Sequence, residues 1–554
     1  MKSDTQHDTQ RDTQRVKGAD LLQIRGLKIE GNSDGVWHPI VKGVDLTLKR
    51  GEVLGLIGES GAGKSTIGLA AMGFARPGCR IVDGTIMFDG IDLRTAGEAE
   101  KRRLWGARIA YVAQSAAAAF NPAHKLIDQT IETAVRDGIR TKDQAVADSI
   151  DLYRRLQLPN PDHIGDRFPH QVSGGQLQRA MTAMAMSCRP DLIIFDEPTT
   201  ALDVTTQVEV LAAMRNIVEQ FHTAAIYITH DLAVVAQMAD RIMVLRHGLE
   251  VEEAPTREML KEPKKDYTKT LWAVRSLAKE ESISDDVTLS IRNVDASYSG
   301  VVKVLDNVTV SLPRGRTVAV VGESGSGKST LARAITGLLP PSKGEILFNG
   351  KALPKALKDR DKDTLRRIQM IYQSADTSLN PKQTIRDIIG RPLEFYHGVH
   401  GAARDRRVAE LLDSIELNES YIDRLPTELS GGQKQRISIA RALAAQPDII
   451  ICDEVTSALD QIVQEEILTL LMKLQKDTNV SYLFITHDIA TVRAISDEIV
   501  VMHRGKVVQQ GPKSQVLNPP HPAYTELLLS SVPQMDPDWL TNLLAARAEA
   551  KVKV

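Results

Sequence analysis

Two stretches of the 554-residue chain carry the spacing of a phosphate-binding loop. Gly58-Glu-Ser-Gly-Ala-Gly-Lys64-Ser65-Thr66 recurs as Gly322-Glu-Ser-Gly-Ser-Gly-Lys328-Ser329-Thr330, an offset of 264. Backbone N–H groups around Gly58, Gly61 and Gly63, and around Gly322, Gly325 and Gly327, can close on phosphate oxygens at the positive end of a helix. Lys64 and Lys328 add a point charge, and the Ser65 and Ser329 hydroxyls can ligate Mg²⁺. Each motif follows an apolar run and opens a helical stretch, the context a Walker A loop requires.

Further chemistry recurs at an offset of 257. Asp196-Glu197 matches Asp453-Glu454; each aspartate can hold a Mg²⁺ hydration shell, and each glutamate can polarise water for in-line attack on a γ-phosphate. An isolated Asp-Glu pair is more often a strand end or helix cap, but here the matching loop lies upstream in both halves. Ser173-Gly-Gly175-Gln176 matches Ser430-Gly-Gly432-Gln433 and places a hydroxyl and bare N–H groups at a helix start, a second anion-binding geometry and also an ordinary N-cap. His230-Asp231 matches His487-Asp488; a lone strand-end histidine is more often structural.

These residues need strands to carry them. Val53 to Ile57, Leu192 to Phe195 and Ala225 to Ile228, with Thr317 to Val321, Ile449 to Cys452 and Tyr482 to Ile485, are short and almost wholly apolar. Such runs, separated by helical segments, read as parallel strands buried on both faces with function at their C-terminal ends. The expected fold class is α/β, twice. The domains expected are 20–275 and 288–534, joined by the polar, acidic linker 276–287. Residues 1–19, with Asp-Thr-Gln repeated every four residues, are expected to be a disordered tail, and 535–554 a C-terminal tail.

Composition narrows the classes. Hydrophobic residues at 42% and charged residues at 25% are ordinary globular usage. Lys plus Arg at 69 against Asp plus Glu at 71 gives a net charge of -2, no electrostatic reason to expect nucleic acid as a partner. Cys79, Cys188 and Cys452 are scattered, without disulfide or metal spacing, which fits a reducing, cytosolic setting. No run of 18 apolar residues is present, and the N-terminus lacks the apolar core of a secretory signal, so the chain is not expected to span a membrane by itself.

The ordered set resembles the ATP-binding cassette (ABC) ATPases over about 20–275 and 288–534. The resemblance implies two tandem P-loop nucleotide-binding domains, each with a helical subdomain and a C-terminal extension, and ATP and Mg²⁺ as cofactors. It implies that Walker A of one cassette faces the SGGQ signature of another, Lys64 with Ser430 and Lys328 with Ser173. Gln114 and Gln373 resemble the Q-loop residues that touch Mg²⁺, His230 and His487 the switch histidines, and Asp203 and Asp460 the ends of the Ala-Leu-Asp D-loops. Tyr298 sits where the family stacks an aromatic on adenine. The aligned residue of the first half is Gly31, with Trp37 the nearest aromatic and as readily a packing residue. Val172 stands before the first SGGQ where the second has Leu429. Since neither half has lost its lysine, glutamate, histidine or signature serine, two hydrolytic sites are expected.

Two features are similar to the oligopeptide/dipeptide/nickel importer ATPases: Gln114-Ser-x5-Asn121-Pro122 with Gln373-Ser-x5-Asn380-Pro381, and the tails Pro263-Lys-Lys-Asp-Tyr267-Thr and Pro519-Pro-His-Pro-Ala-Tyr524-Thr. That resemblance implies an energy-coupling ATPase for peptide import on the cytoplasmic face of a bacterial inner membrane, with two separate permease subunits and, indirectly, a solute-binding protein. Nickel, glutathione, opines or other small solutes are the alternative cargo. Ribosome-associated tandem cassettes of the ABC-F type are the remote alternative, disfavoured by the short acidic linker where that class usually carries a long charged helical arm.

Overall fold

In a computed structural model, which describes residues 18–33, 35–200, 202–273, 279–282, 284–298, 302–457 and 459–552, the apolar runs become the inner strands of two six-stranded sheets. The first is ordered Leu249–Pro255, Arg241–Arg246, Val53–Gly58, Ala224–Ile228, Leu192–Asp196, Ile109–Val112. All neighbours are parallel except the outer hairpin of Arg241–Arg246 with Leu249–Pro255. Every residue of Val53–Gly58, Leu192–Asp196 and Ala224–Ile228 is buried, as expected of strands covered on both faces. The second sheet repeats this as Ile368–Ile371, Ile449–Asp453, Ser481–Ile485, Thr317–Val321, Glu498–His503, Lys506–Pro512.

Each unit also holds a four-stranded antiparallel sheet, which the motif pattern did not announce. In the first it comprises Val36–Lys49, Asp20–Ser33, Cys79–Phe88 and Ile91–Asp92, and in the second Val302–Pro313, Val287–Tyr298, Lys343–Phe348 and Lys351–Ala352. One tie to the parallel sheet is a close backbone approach. Lys42 N–H donates to Gly248 O at 2.8 Å, and Asp306 N–H donates to Gly505 O at 2.9 Å. Gly248 has φ 81°, and a Cβ there would lie 2.0 Å from Ile40 O; Gly505 has φ 80°, with Val304 O 2.2 Å away. A left-handed backbone pressed on a carbonyl admits only glycine. Gly248→Ala is therefore expected to cost about 1–3 kcal/mol, read as a lower melting temperature of the purified chain.

Helices Leu126–Arg136, Lys142–Arg155 and Gly174–Met186, with Ile385–His397, Gly401–Ser414 and Gly431–Leu443 in the second unit, form the helical subdomains. Their apolar faces are continuous with the sheet: Ile388, Leu412 and Ile439 share one buried cluster with Ile450 and Phe484. The signature helix is thereby fixed to the strand that ends in Asp453.

The first unit comprises the described residues up to Leu202, Thr206–Trp272 and Pro533–Val554; the second comprises Asp203–Thr205 and Ala273–Val532. Within the first, the end of the chain packs on the cassette. Gln237 Nε2 donates to Gln534 O and Asp536 O, both at 2.9 Å, its Oε1 accepts from Leu540 N–H at 3.0 Å, and Arg257 forms a two-pronged ion pair with Asp538. Helix Trp539–Val552 follows, with Leu540 fully buried. Within the second unit, linker residues Lys279 and Ser282 bind the buried carboxylate of Asp497. Of the expected disordered tail, residues 1–17 lie outside the described residues. Among the described residues no helix is long and apolar enough to cross a membrane.

Candidate functional site

The loop after Val53–Gly58 turns under a carbonyl before helix Lys64–Ala70 begins. Gly58 has φ 146° and a Cβ there would lie 2.1 Å from Leu245 O; Gly322 has φ 149°, with Met502 O at 2.2 Å. Gly63 and Gly327 take left-handed N-cap conformations, which open the helices at Lys64 and Lys328. Both lysines are buried, at 6% and 5% exposure, and fold back on their own loops. Lys64 Nζ donates to Gly58 O at 2.7 Å and Glu59 O at 2.9 Å; Lys328 Nζ donates to Gly322 O and Glu323 O at 2.8 and 2.9 Å. Burial pulls the Lys328 ammonium below the ordinary lysine value, opposed by Glu454, Asp203, Asp453 and Glu323.

The strand register brings the acids to these loops. Asp196 and Asp453 are the last residues of the strands next but one to the loop strands, and Ser65 Oγ donates to Asp196 Oδ1 at 2.7 Å, Ser329 Oγ to Asp453 Oδ1 at 3.0 Å. A serine oxygen beside a carboxylate oxygen, next to a phosphate-binding loop, is a hard-oxygen donor set that fits Mg²⁺.

Glu197 and Glu454 come next, at φ 49° and 52°. A left-handed glutamate is uncommon, costs on the order of 1–3 kcal/mol, and tends to mark a functional position. Its N–H is held by the neighbouring strand, Glu197 to Ile228 O and Glu454 to Ile485 O, both at 2.9 Å. Each carboxylate meets the glutamine and histidine singled out from the sequence. Gln114 Nε2 donates to Glu197 Oε2 at 3.1 Å and Gln373 Nε2 to Glu454 Oε2 at 2.7 Å; His230 Nδ1 lies 3.3 Å from Glu197 Oε1 and His487 Nδ1 3.6 Å from Glu454 Oε1.

Burial alone would raise both glutamates, but the histidine and the Walker lysine outweigh it and hold them below the usual carboxylate value. Burial would lower both imidazoles, yet the facing glutamate holds them above theirs. The raised histidines stabilise the fold below about pH 6.5, and that contribution is lost as pH climbs through their folded values. The lowered glutamates contribute above about pH 4.5 and lose it as pH falls through theirs. The melting difference between wild type and His230→Ala with His487→Ala is therefore expected to be largest between those two values and to shrink above them.

The signature serines cap their helices with a reciprocal box. Ser173 Oγ accepts from Gln176 N–H at 3.3 Å while Gln176 Oε1 accepts from Ser173 N–H at 3.1 Å, and Ser430 with Gln433 does the same at 3.3 and 2.9 Å. Both serines remain exposed. Gly175 and Gly432 leave room for the helix behind, since a Cβ would meet Thr206 or Val463 at 2.2 or 2.5 Å.

The halves differ around these shared parts. In the second, Arg333 Nη1 donates to Tyr298 Oη at 2.8 Å. In the first, Gly31 is filled by Ile40, and the Trp37 ring is covered by the Arg80 guanidinium at 4.1 Å, a packing role within its own sheet. Asp203 accepts from Thr205 Oγ1 at 2.8 Å, and Asp460 caps the helix that follows it; Ala201 and Ala458 of the D-loops lie outside the described residues.

Two contacts were not legible in the motifs. Tyr111 Oη donates to Asp196 Oδ2 at 2.6 Å, with Arg76 3.8 Å from the same oxygen, whereas the second half has Met370 at the position of Tyr111. Burial accordingly leaves Asp453 raised above the usual carboxylate value. Only the duplication, comparing Tyr111 with Met370, held a signal of this. The second contact gives the C-terminal tyrosine a use: Glu323 N–H of the Walker loop donates to Tyr524 Oη at 3.0 Å, and the His503 ring stacks on Tyr524 at 4.0 Å.

The ABC transporter family matches residues 41–200 and 305–457, and the oligopeptide/dipeptide transporter C-terminal region matches 508–552. The chain is 37% identical over 563 aligned residues to the glutathione import ATP-binding protein GsiA of Salmonella choleraesuis strain SC-B67, covering 94% of this chain and 90% of that one. It is 35% identical to the protein of that name from Escherichia coli K12 over the same shares. Among solved structures, cbiO1 of Clostridium perfringens, part of the ABC transporter complex cbiONQ, is 30% identical over 42% of this chain and 91% of its own, with a TM-score of 0.39. With two regions matching the ABC transporter family and a C-terminal region of the oligopeptide/dipeptide transporter type, the chain belongs to the ABC transporter ATPases, as a tandem ATP-binding protein of the oligopeptide/dipeptide importer type.

Proposed function

We propose that this chain hydrolyses ATP at two sites to drive uptake of a small peptide, glutathione or a related peptide, through separate permease subunits. The observation that carries this reading is the likeness along 94% of the chain to glutathione import ATP-binding proteins, joined to the oligopeptide/dipeptide C-terminal region. Two permease chains, a solute-binding protein and a station on the cytoplasmic face of a bacterial inner membrane follow from that reading. The cargo is recognised by those other chains and not by this one.

In each site the Walker A glycines Gly58, Gly61 and Gly63, or Gly322, Gly325 and Gly327, wrap the phosphates with backbone N–H groups, joined by Thr66 or Thr330. Lys64 and Lys328 are already aimed along their loops and swing from the loop carbonyls to β- and γ-phosphate oxygens. Ser65 with Asp196 and Gln114, or Ser329 with Asp453 and Gln373, would hold Mg²⁺, which neutralises charge on the phosphates when bound. Glu197 and Glu454, ionised and fixed by the strained backbone, orient the attacking water and accept its proton. His230 and His487 hold those carboxylates from the other side and contact the γ-phosphate. The exposed Ser173 with Gly175, and Ser430 with Gly432, offer a hydroxyl and bare N–H groups at a helix start to a γ-phosphate. Tyr298 stacks on adenine in the second site.

The test is reconstitution with permease subunits and a solute-binding protein from the same genome, measuring uptake of labelled glutathione and of a dipeptide. ATP-dependent uptake of either supports the reading, and competition between them ranks the cargo. Uptake of nickel with neither peptide transported would replace it with the metal alternative.

A further inference from the structure

The C-terminal extension of the second cassette reaches that cassette's own Walker loop. Val516 and Leu528, from the extension, share a buried apolar cluster with Val321, the last residue of the strand entering the loop, and with Val501 of the adjacent strand. This packing carries Tyr524, in the first turn of helix Ala523–Ser530, up to the loop. Its hydroxyl accepts from Glu323 N–H at 3.0 Å, while the carbonyl of the same Glu323 accepts from Lys328 Nζ at 2.9 Å. One loop residue thus joins the tail tyrosine to the Walker lysine. The His503 ring stacks on Tyr524 at 4.0 Å, with 15° between the planes, and fixes the orientation of the phenol. Burial pushes that phenol up to about 12, so it remains an uncharged hydroxyl at neutral pH.

The first cassette has a related arrangement. Tyr267 and Arg246 precede Tyr524 and His503 by 257 residues. The Arg246 guanidinium lies over the Tyr267 ring at 4.5 Å, and burial, then the carboxyl of the loop residue Glu59, push the Tyr267 phenol up. A tyrosine that only filled space would need no hydroxyl, whereas the Tyr524 hydroxyl holds the first N–H after the opening glycine of its loop.

We propose that Tyr524 is a positioning residue for the second nucleotide site: its hydroxyl fixes the Glu323 peptide, whose carbonyl holds Lys328 before nucleotide arrives, so the C-terminal extension sets the affinity of that loop. This rests on the reading of Lys328 as a phosphate ligand. A loop already fixed in shape loses less freedom when its ligand binds. Without the hydroxyl, Glu323 N–H loses its partner and the nucleotide itself must order the loop.

The test is titration of the full chain carrying Lys64→Ala, so that the second loop dominates the signal, with fluorescent ADP and Mg²⁺. Adding Tyr524→Phe, which keeps the ring on His503, is expected to raise the Kd about three- to tenfold. The same substitution should move the melting temperature without nucleotide by less than about 4 °C. With Lys64 intact it should raise KM for ATP and leave kcat unchanged. An unchanged or lowered Kd with Tyr524→Phe, where Lys328→Ala raises it, overturns this proposal alone. If Lys328→Ala does not raise the Kd either, the phosphate-ligand reading falls and this proposal with it. A larger drop in melting temperature, with kcat falling as KM rises, marks a structural role for the tyrosine and also overturns the proposal.

Discussion

Replacing Glu197 and Glu454 together by glutamine is expected to lower steady-state ATP turnover at least about a hundredfold, the lower end of what a positioned general base contributes. Glutamine keeps the size, the strained backbone position and a hydrogen bond to Gln114 or Gln373, but it cannot take a proton from water. The residues proposed to bind nucleotide, Lys64, Lys328 and the loop glycines, are untouched, so ATP affinity should stay within a few-fold of wild type. Phosphate release and equilibrium binding of labelled ATP separate the two quantities. Turnover at the wild-type rate in the double variant would remove both glutamates from the mechanism.

The lysines should fail in the opposite way. Lys64→Ala with Lys328→Ala removes the buried ammonium from each loop, and a hydrogen bond to a charged group contributes about 1.5–3 kcal/mol, so affinity should drop roughly 10- to 100-fold per site. The loop carbonyls of Gly58, Glu59, Gly322 and Glu323 lose their donor as well, which loosens the loop before any nucleotide arrives. Fluorescent nucleotide titration gives affinity, and the single variants assign it to a half. Binding as tight as wild type in the double variant would mean that the loops act without their lysines.

Much of this was legible because the chain states it twice. Strand ends, loops and acids recur in the same order, and in both copies the structure brings Gln within hydrogen-bonding distance of Glu and His within ion-pair distance of it. The left-handed backbone at Glu197 and Glu454 left no mark, since no glycine signals it; the neighbouring strand imposes it through one backbone hydrogen bond. The antiparallel sheets also stayed hidden. Asp20–Ser33 and Val36–Lys49 are long and irregular in register, with bulges that break the alternation a strand is recognised by. Residues 535–554 read as a tail, yet Trp539 and Leu540 are buried against the first unit, a contact more than two hundred residues away in sequence that no local pattern encodes. Trp37, the nearest aromatic to Gly31 in sequence, lies under Arg80, while Ile40 fills the space beside Gly31.

The central claim is that each of the two Walker A loops binds its own nucleotide. Counting Mg-ATP bound at saturation by the chain carrying Glu197→Gln and Glu454→Gln tests it most directly, with Lys64→Ala or Lys328→Ala added one at a time. The account predicts two nucleotides per chain, falling to one with either lysine removed at concentrations that saturate the intact site. A single nucleotide per chain, lost entirely with one lysine and indifferent to the other, would contradict it.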